Sequence, residues 1–248
     1  MDGMDVTRDR LLNGRIAIAQ PARGYRAGLD AALLAAACEA GPGERVLEAG
    51  CGVGGALLAA AWRRPQARFT GLERDPAMAT LGRTNAAENN LADRVDILEG
   101  EVEAGFRALA LPAFDHVFSN PPFFDDPAAL RGPLPEKTGA WMADAGLAAW
   151  TGFLLKAVRE GGTITLIHRA DRLADILAGL TPKAGSFRVR PIQPFADAPA
   201  KRVMVRGTKT GKAPLVLLPA LVLHSREGAK HTEGVEAILR GEAALDWS

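Results

Sequence analysis

The central part of the chain alternates short apolar runs with amphipathic stretches. Residues 45–50 (RVLEAG), 68–73 (RFTGLE), 95–99, 114–119 and 163–168 have the length and the Val, Leu, Ile and Phe content of buried strands. Residues 54–62, 76–90, 147–158 and 173–180 carry helical spacing instead. Arg63-Arg64-Pro65 ends the first helix, and Asp75-Pro76 offers the second an N-cap followed by proline at the first helical position. Glu160-Gly161-Gly162 closes the third. Strands alternating with helices predict right-handed βαβ units, a mostly parallel sheet and helices on both faces. After residue 185 the pattern changes. Residues 186–191, 202–208 and 215–223 are extended segments with no long helix between them, which predicts an antiparallel edge.

Composition narrows the class without changing this picture. The 248 residues are 48% apolar and 24% charged, which excludes a disordered, collagen-like or coiled-coil chain. No uncharged run approaches the ~18 residues of a membrane helix, and the opening MDGMDVTRDRLL lacks an apolar signal core, so a cytoplasmic protein is expected. Cys38 and Cys51 form neither a disulfide framework nor a zinc site, and no metal is expected. Charge is uneven: residues 182–232 hold ten lysines and arginines against Asp197 and Glu227. That basic segment predicts a polyanionic partner or a solvated face of basic strands. Arg202-Val-Met-Val-Arg206 puts both arginines on one strand face with Met204, and with Lys209 and Lys212 they read as a phosphate-tracking ridge or as a charge-protected edge strand.

Two loops carry the chemistry. The first, Glu48-Ala-Gly50-Cys51-Gly52-Val-Gly54-Gly55, joins a strand to a helix, where glycine permits a sharp turn and close approach of a ligand. The string also satisfies G-x-G-x-x-G, so a nicotinamide dinucleotide is one reading. Glu73, at the end of the second strand, is placed to bond two ribose hydroxyls in either case. Glu48 favours S-adenosylmethionine: a carboxylate crowds a pyrophosphate but accepts bonds from an α-amino group.

The second loop, Asn120-Pro121-Pro122-Phe123, follows the fourth strand at the carboxyl end of the sheet, where open α/β sheets bind ligands. Two prolines stiffen the corner and hold Asn120 extended. The Asn120 side-chain oxygen and the Pro121 carbonyl can accept the hydrogens of an exocyclic or amide NH₂, and Phe123 can stack on the planar group. Alignment and polarisation then supply the catalysis, without a strong base.

In these residues the sequence resembles the class I S-adenosylmethionine-dependent N-methyltransferases, with Glu48–Gly54, Glu73 and Asn120–Phe123 matching their motifs. Within that class it is similar to the bacterial tRNA1(Val) adenine-N6 methyltransferases. The resemblance implies a Rossmann-like methyltransferase fold with a seven-stranded sheet, S-adenosylmethionine as cofactor and adenine N6 of tRNA next to the anticodon as substrate. It implies that Gln20–Leu34 belongs to an N-terminal segment, residues 1–44, that covers the cofactor ahead of a methyltransferase domain at 45–248. It also implies that Glu101 contacts the cofactor's adenine amine. Cys51, Gly52, Gly54 and Arg74 complete the cofactor set. Lys230-His231-Thr232 stands where the family has a Tyr-Thr pair.

Asp30 reads either as an N-cap or as a group closing over the cofactor's amino acid; Tyr25 is the only tyrosine. Arg23, Arg26, Arg202, Arg206 and Lys209 are the candidate RNA contacts. His168, His224 and His231 show no ligand spacing and read as structural, and Trp62, Trp141 and Trp150 read as packing residues. Residues 123–139 are expected to loop over the active site. The alternatives are a protein-glutamine N5-methyltransferase, which holds a side-chain amide in the same loop, a small-molecule methyltransferase, an RNA-binding module without turnover, and a nicotinamide oxidoreductase, which leaves the Asn-Pro-Pro loop unexplained.

Overall fold

The computed structural model describes residues 5–23, 26–123 and 139–248; Tyr25 and the greater part of the expected active-site loop lie outside them. An antiparallel hairpin comes first, β1 (Val6–Leu11) with β2 (Ile16–Pro21), followed by α1 (Leu29–Ala36). Then come β3 (Arg45–Ala49), α2 (Gly55–Arg63), β4 (Arg68–Glu73), α3 (Pro76–Glu88), β5 (Val95–Glu99) and β6 (Phe114–Ser119). After these follow α4 (Gly139–Ala157), β7 (Val158–Arg169), α5 (Leu173–Leu180), β8 (Ala184–Gln193) and β9 (Arg202–Lys209). Two short strands, β10 (Val216–Leu217) and β11 (Leu221–Val222), and α6 (Glu233–Arg240) complete the chain.

The main sheet runs β5-β4-β3-β6-β7-β9-β8-β10, with β11 also on β8. Its first five strands are parallel, as the βαβ pattern predicts. The antiparallel strand is β9, two places in from the edge rather than on it: it inserts between β7 and β8 and opposes both. The third extended segment is not antiparallel. Pro219 interrupts it, and its halves pair parallel to β8 over two residues each. Arg202–Thr208 is therefore no protected edge but an interior strand.

Side-chain alternation sorts the core into two layers. Val46, Phe118, Ile167 and Met204 pack under α1, α2, α3 and α6, whereas Leu47, Val117, Leu166 and Val205 pack under α4 and α5. Asp75 caps α3 as expected, its carboxylate accepting the N–H groups of Ala77 and Met78. Asp30 does not cap α1; Gly28 holds that position and Asp30 lies in the first turn. The Gly161-Gly162 pair does not close a helix in open loop: α4 ends at Ala157 and β7 starts at once, with the glycines inside it.

The hydrophobic pattern does not predict the hairpin, because side chains hold it where a strand otherwise would. Asn85, fully buried on α3, accepts from the N–H of Ala19 (2.8 Å) and donates to the carbonyls of Ala19 (2.9 Å) and Val53 (3.0 Å). One turn later Asn89 repeats the clasp on Ala17, at 2.9 and 2.7 Å. An asparagine amide presents a donor and an acceptor side by side, so two of them at i and i+4 pair β2 as a neighbouring strand does. The helix α6 was also not evident from the sequence, since only Val235 and Ile238 of it are buried.

Candidate active site

A cavity of about 570 Å³ opens at the carboxyl ends of β3, β4 and β6, a size suited to a nucleoside-like ligand. The hydrogen bond from the Ser119 hydroxyl to the Ala49 carbonyl (2.8 Å) pins the end of β6 to the end of β3. The two loops that follow these strands therefore share one wall. Glu48, Gly50, Cys51, Gly52, Glu73, Arg74 and Glu101 line the cavity together with Asn120, Pro121, Pro122 and Phe123. Pro21 and Ala27 bring the N-terminal segment to its rim.

The backbone donors of the glycine loop are already engaged. The N–H groups of Gly50 and Cys51 bond the Leu72 carbonyl at 2.8 and 3.0 Å, that of Gly52 bonds Glu73 Oε2 at 2.8 Å, and that of Gly54 bonds the Cys51 carbonyl at 2.9 Å. Those N–H groups are spent on the loop's own shape. The glycines serve close packing instead. Gly50 has φ +71°, and a Cβ there would sit 2.4 Å from the Trp150 ring. Trp150, which sequence reasoning assigned to packing alone, thus forms part of the cavity wall. The helical periodicity of residues 147–158 buries it, but nothing local to it announces Gly50 as its neighbour.

Two carboxylates line the site, one on β3 and one at the end of β4. Glu73 is anchored at both oxygens, Oε2 by Gly52 N–H and Oε1 by Asp75 N–H (2.9 Å), which leaves lone pairs directed to a ligand diol. Glu48 is 4% exposed, and its Oε2 has no hydrogen-bond partner among the described residues. Burial drives its pKa well above the ordinary carboxylate range, the Leu57 backbone opposes that, and the nearby charge of Glu73 adds to it. A buried acceptor in that state fits a cationic ligand group. These acceptors and apolar walls fit S-adenosylmethionine: when it is bound, Glu48 would take the α-amino group, Glu73 the ribose, and Leu72, Met78 and Val102 the adenine. The Cys51 thiol, also buried, is pushed well above its ordinary pKa and stays neutral.

The remaining expected site residues lie elsewhere. Gly54 caps α2 (φ +90°) and does not line the cavity. Asp30 does not line it either; its carboxylate accepts from Arg202 Nε at 3.1 Å. Arg26 is held by Asp9 (2.5 Å) and Thr7 (2.9 Å), while Arg23 is exposed. The basic segment is not one ridge. Arg206 pairs with Glu39, and Lys209 bonds the Val158 carbonyl at 2.8 Å and approaches Glu160 at 3.4 Å. Arg188 and Arg190 are spent on carbonyls of the C-terminal residues. Lys183 precedes β8 and Lys212 follows β9, so both sit at the opposite end of the sheet from the cavity. Of the segment's remaining cations, Lys201 precedes β9 and Lys230 follows β11, while Arg226 pairs with Asp197 at 2.8 Å. His224 and His231, seven residues apart, stack on each other with ring centroids 5.0 Å apart. No cluster of three or more metal-binding side chains, and no helix long and apolar enough to cross a membrane, occurs among the described residues.

Comparison with known proteins agrees with this chemistry. A methyltransferase-domain family model matches residues 46–131. A tRNA1(Val) (adenine(37)-N6)-methyltransferase of Porphyromonas gingivalis is 30% identical over 235 residues, 88% of this chain and 91% of the relative. The release factor glutamine methyltransferase of Escherichia coli is 32% identical over 54% of this chain and 52% of its own length. Among solved structures, a predicted O-methyltransferase of Agrobacterium tumefaciens superposes with a TM-score of 0.74 at 26% identity, covering 87% of this chain and 98% of that one.

Proposed function

The chain belongs to the S-adenosylmethionine-dependent methyltransferase family of the tRNA1(Val) (adenine(37)-N6)-methyltransferases, and from that premise we propose that it methylates adenine N6 in the anticodon loop of a tRNA. The observation that carries the reading is the placement of Asn120–Phe123 on the cavity wall shared with Glu48 and Gly50. When bound, the cofactor supplies a methyl group on a sulfonium, an activated donor. The protein's part is to orient the acceptor. Asn120 Oδ1 and the Pro121 carbonyl accept the two hydrogens of the amine, which draws its lone pair out of conjugation and toward the methyl group, and Phe123 stacks on the ring. The segment ending in Pro21 and Ala27 closes the cofactor side. The work takes place in the cytoplasm, where tRNA is found.

RNA is favoured over a protein glutamine by the extent of similarity: the tRNA enzyme is matched along nearly its whole length and the glutamine enzyme along half. The direct test is incubation with labelled S-adenosylmethionine and bulk tRNA, with mass identification of the modified nucleoside. N6-methyladenosine is expected. Label in a glutamine of a translation factor, with none in RNA, overturns the substrate assignment.

A further inference from the structure

The Phe123 ring carries no polar atom for a hydrogen bond to fix, yet a stacking ring is useful only if it is held still. Its surroundings do that. One side of the ring lines the cavity. The Arg202 guanidinium lies over the ring, with Cζ 4.9 Å from the centroid, and the His168 ring meets it edge-on at 5.1 Å and 85°. Neither Arg202 nor His168 lines the cavity. His168 is 3% exposed, and burial lowers its pKa to about 4 against a smaller opposing pull from the Pro122 carbonyl, so it packs as a neutral ring beside the cation.

Arg202 is itself fixed from behind. Its Nε donates to Asp30 at the start of α1 (3.1 Å), and Nη1 donates to the Lys201 carbonyl (3.2 Å). Four residues along β9 on the same face, Arg206 pairs with Glu39 just past the end of α1. Four strand residues rise about 13 Å, which carries β9 from the first turn of α1 to just past its end. The two arginines therefore grip α1 at both ends, and the register they set places the Arg202 guanidinium over Phe123.

We propose that Arg202 is a positioning residue for methyl transfer: clamped by Asp30, it holds Phe123 flat against the acceptor ring instead of contacting RNA phosphate. This rests on the reading above, in which Phe123 stacks on the substrate. Asp30, which the sequence offers as an N-cap or as a group closing over the cofactor, acts in this proposal through Arg202.

The test has two arms. In the first, 4-fluorophenylalanine is incorporated and the ¹⁹F resonance of Phe123 is assigned with Phe123→Leu; no substrate is needed. Arg202→Met and Asp30→Asn should both shift or broaden that resonance, and an unmoved resonance in Arg202→Met overturns the proposal. In the second, single-turnover methylation of tRNA is measured for Arg202→Met, Arg202→Lys, Phe123→Leu and the Arg202→Met/Phe123→Leu double variant, with cofactor affinity as the folding control. Arg202→Met should slow the methyl-transfer step on the order of 10–100-fold at saturating RNA, as loose positioning does. Lysine should recover part of the rate by retaining a cation over the ring. The double variant should be no slower than Phe123→Leu, since both remove one unit. Full additivity, or a raised KM for RNA with an unchanged maximal rate, would mark Arg202 as a phosphate contact and overturn the assignment. A wild-type enzyme inactive on every tRNA counts against the substrate reading alone, and the first arm still decides this one.

Discussion

The main sheet has two halves that treat charge in opposite ways. On the β3–β4 half, Glu48 and Glu73 face the cavity. Glu73 uses backbone N–H groups to hold its orientation, while Glu48 keeps an oxygen with no partner among the described residues. On the β7–β9–β8 half, Arg202 and Arg206 are paired with Asp30 and Glu39, and Lys209 with a carbonyl and Glu160. The first half presents its charge to a ligand; the second spends its charge on the fold. A count of charges along a sequence cannot separate these cases. What marks a binding charge is incomplete internal satisfaction, and that is a property of the assembled structure.

The sharpest way to break this contrast is at the junction of the halves. Asn120→Ala should leave cofactor affinity within a few-fold while single-turnover methyl transfer falls on the order of 10²–10³-fold, as for other positioned polar groups. Asn120→Asp keeps an acceptor and should retain more activity than alanine. Wild-type rates in the alanine variant would reduce the loop to a turn. Next in size, Glu73→Ala removes an anchored carboxylate and two charge-assisted bonds to the ribose, so the cofactor dissociation constant should rise at least about tenfold. Calorimetry with unchanged affinity, or preferential NAD binding, would remove Glu73 from the cofactor half.

Glu48 sharpens the comparison through pH. Its folded pKa is raised, so between the ordinary carboxylate value and that raised value the folded chain keeps a proton the unfolded chain has lost, and stability falls as pH rises through the window. Glu48→Gln abolishes that loss. In ligand-free protein its melting temperature should match wild type near pH 4 and exceed it increasingly toward about pH 7. A difference independent of pH would mean that Glu48 is charged and satisfied in the fold. The smallest effect is expected on the other half. Arg206→Ala should lower stability by about 1 kcal/mol or less, given a half-exposed partner, and leave tRNA affinity within twofold. Lys201→Ala and Lys230→Ala should each flatten the salt dependence of tRNA binding by about one unit of slope. A reversal of these two outcomes would restore the basic strands as the RNA contact.

How far the sequence could be read follows the same division. The parallel strands, the glycine loop, the Asp75 cap and the Asn-Pro-Pro corner were legible because each is enforced by local backbone geometry or by burial on both faces. The hairpin was not, since Asn85 and Asn89 pair it from 64 or more residues away along the chain. The partners of Trp150, Asp30 and Arg202 were not legible for the same reason: tertiary folding sets Gly50 beside the Trp150 ring and pairs Asp30 with Arg202. The antiparallel strand was foreseen as a kind of strand but not as an interior position, because short links specify pairing direction and leave strand order open.

That interior position has a consequence for how the molecule assembles. β8 leaves the ribosome before β9, yet β9 is what joins it to the rest of the sheet. Residues 184–193 thus have no place to dock until residues 202–209 exist. The link between them is short, so the two strands zip locally as an antiparallel pair on a microsecond scale, and the pair then attaches to β7 through β9 as a unit. The last quarter of the chain is in this sense a late module: the guanidinium behind Phe123 reaches its place only when β9 docks on β7.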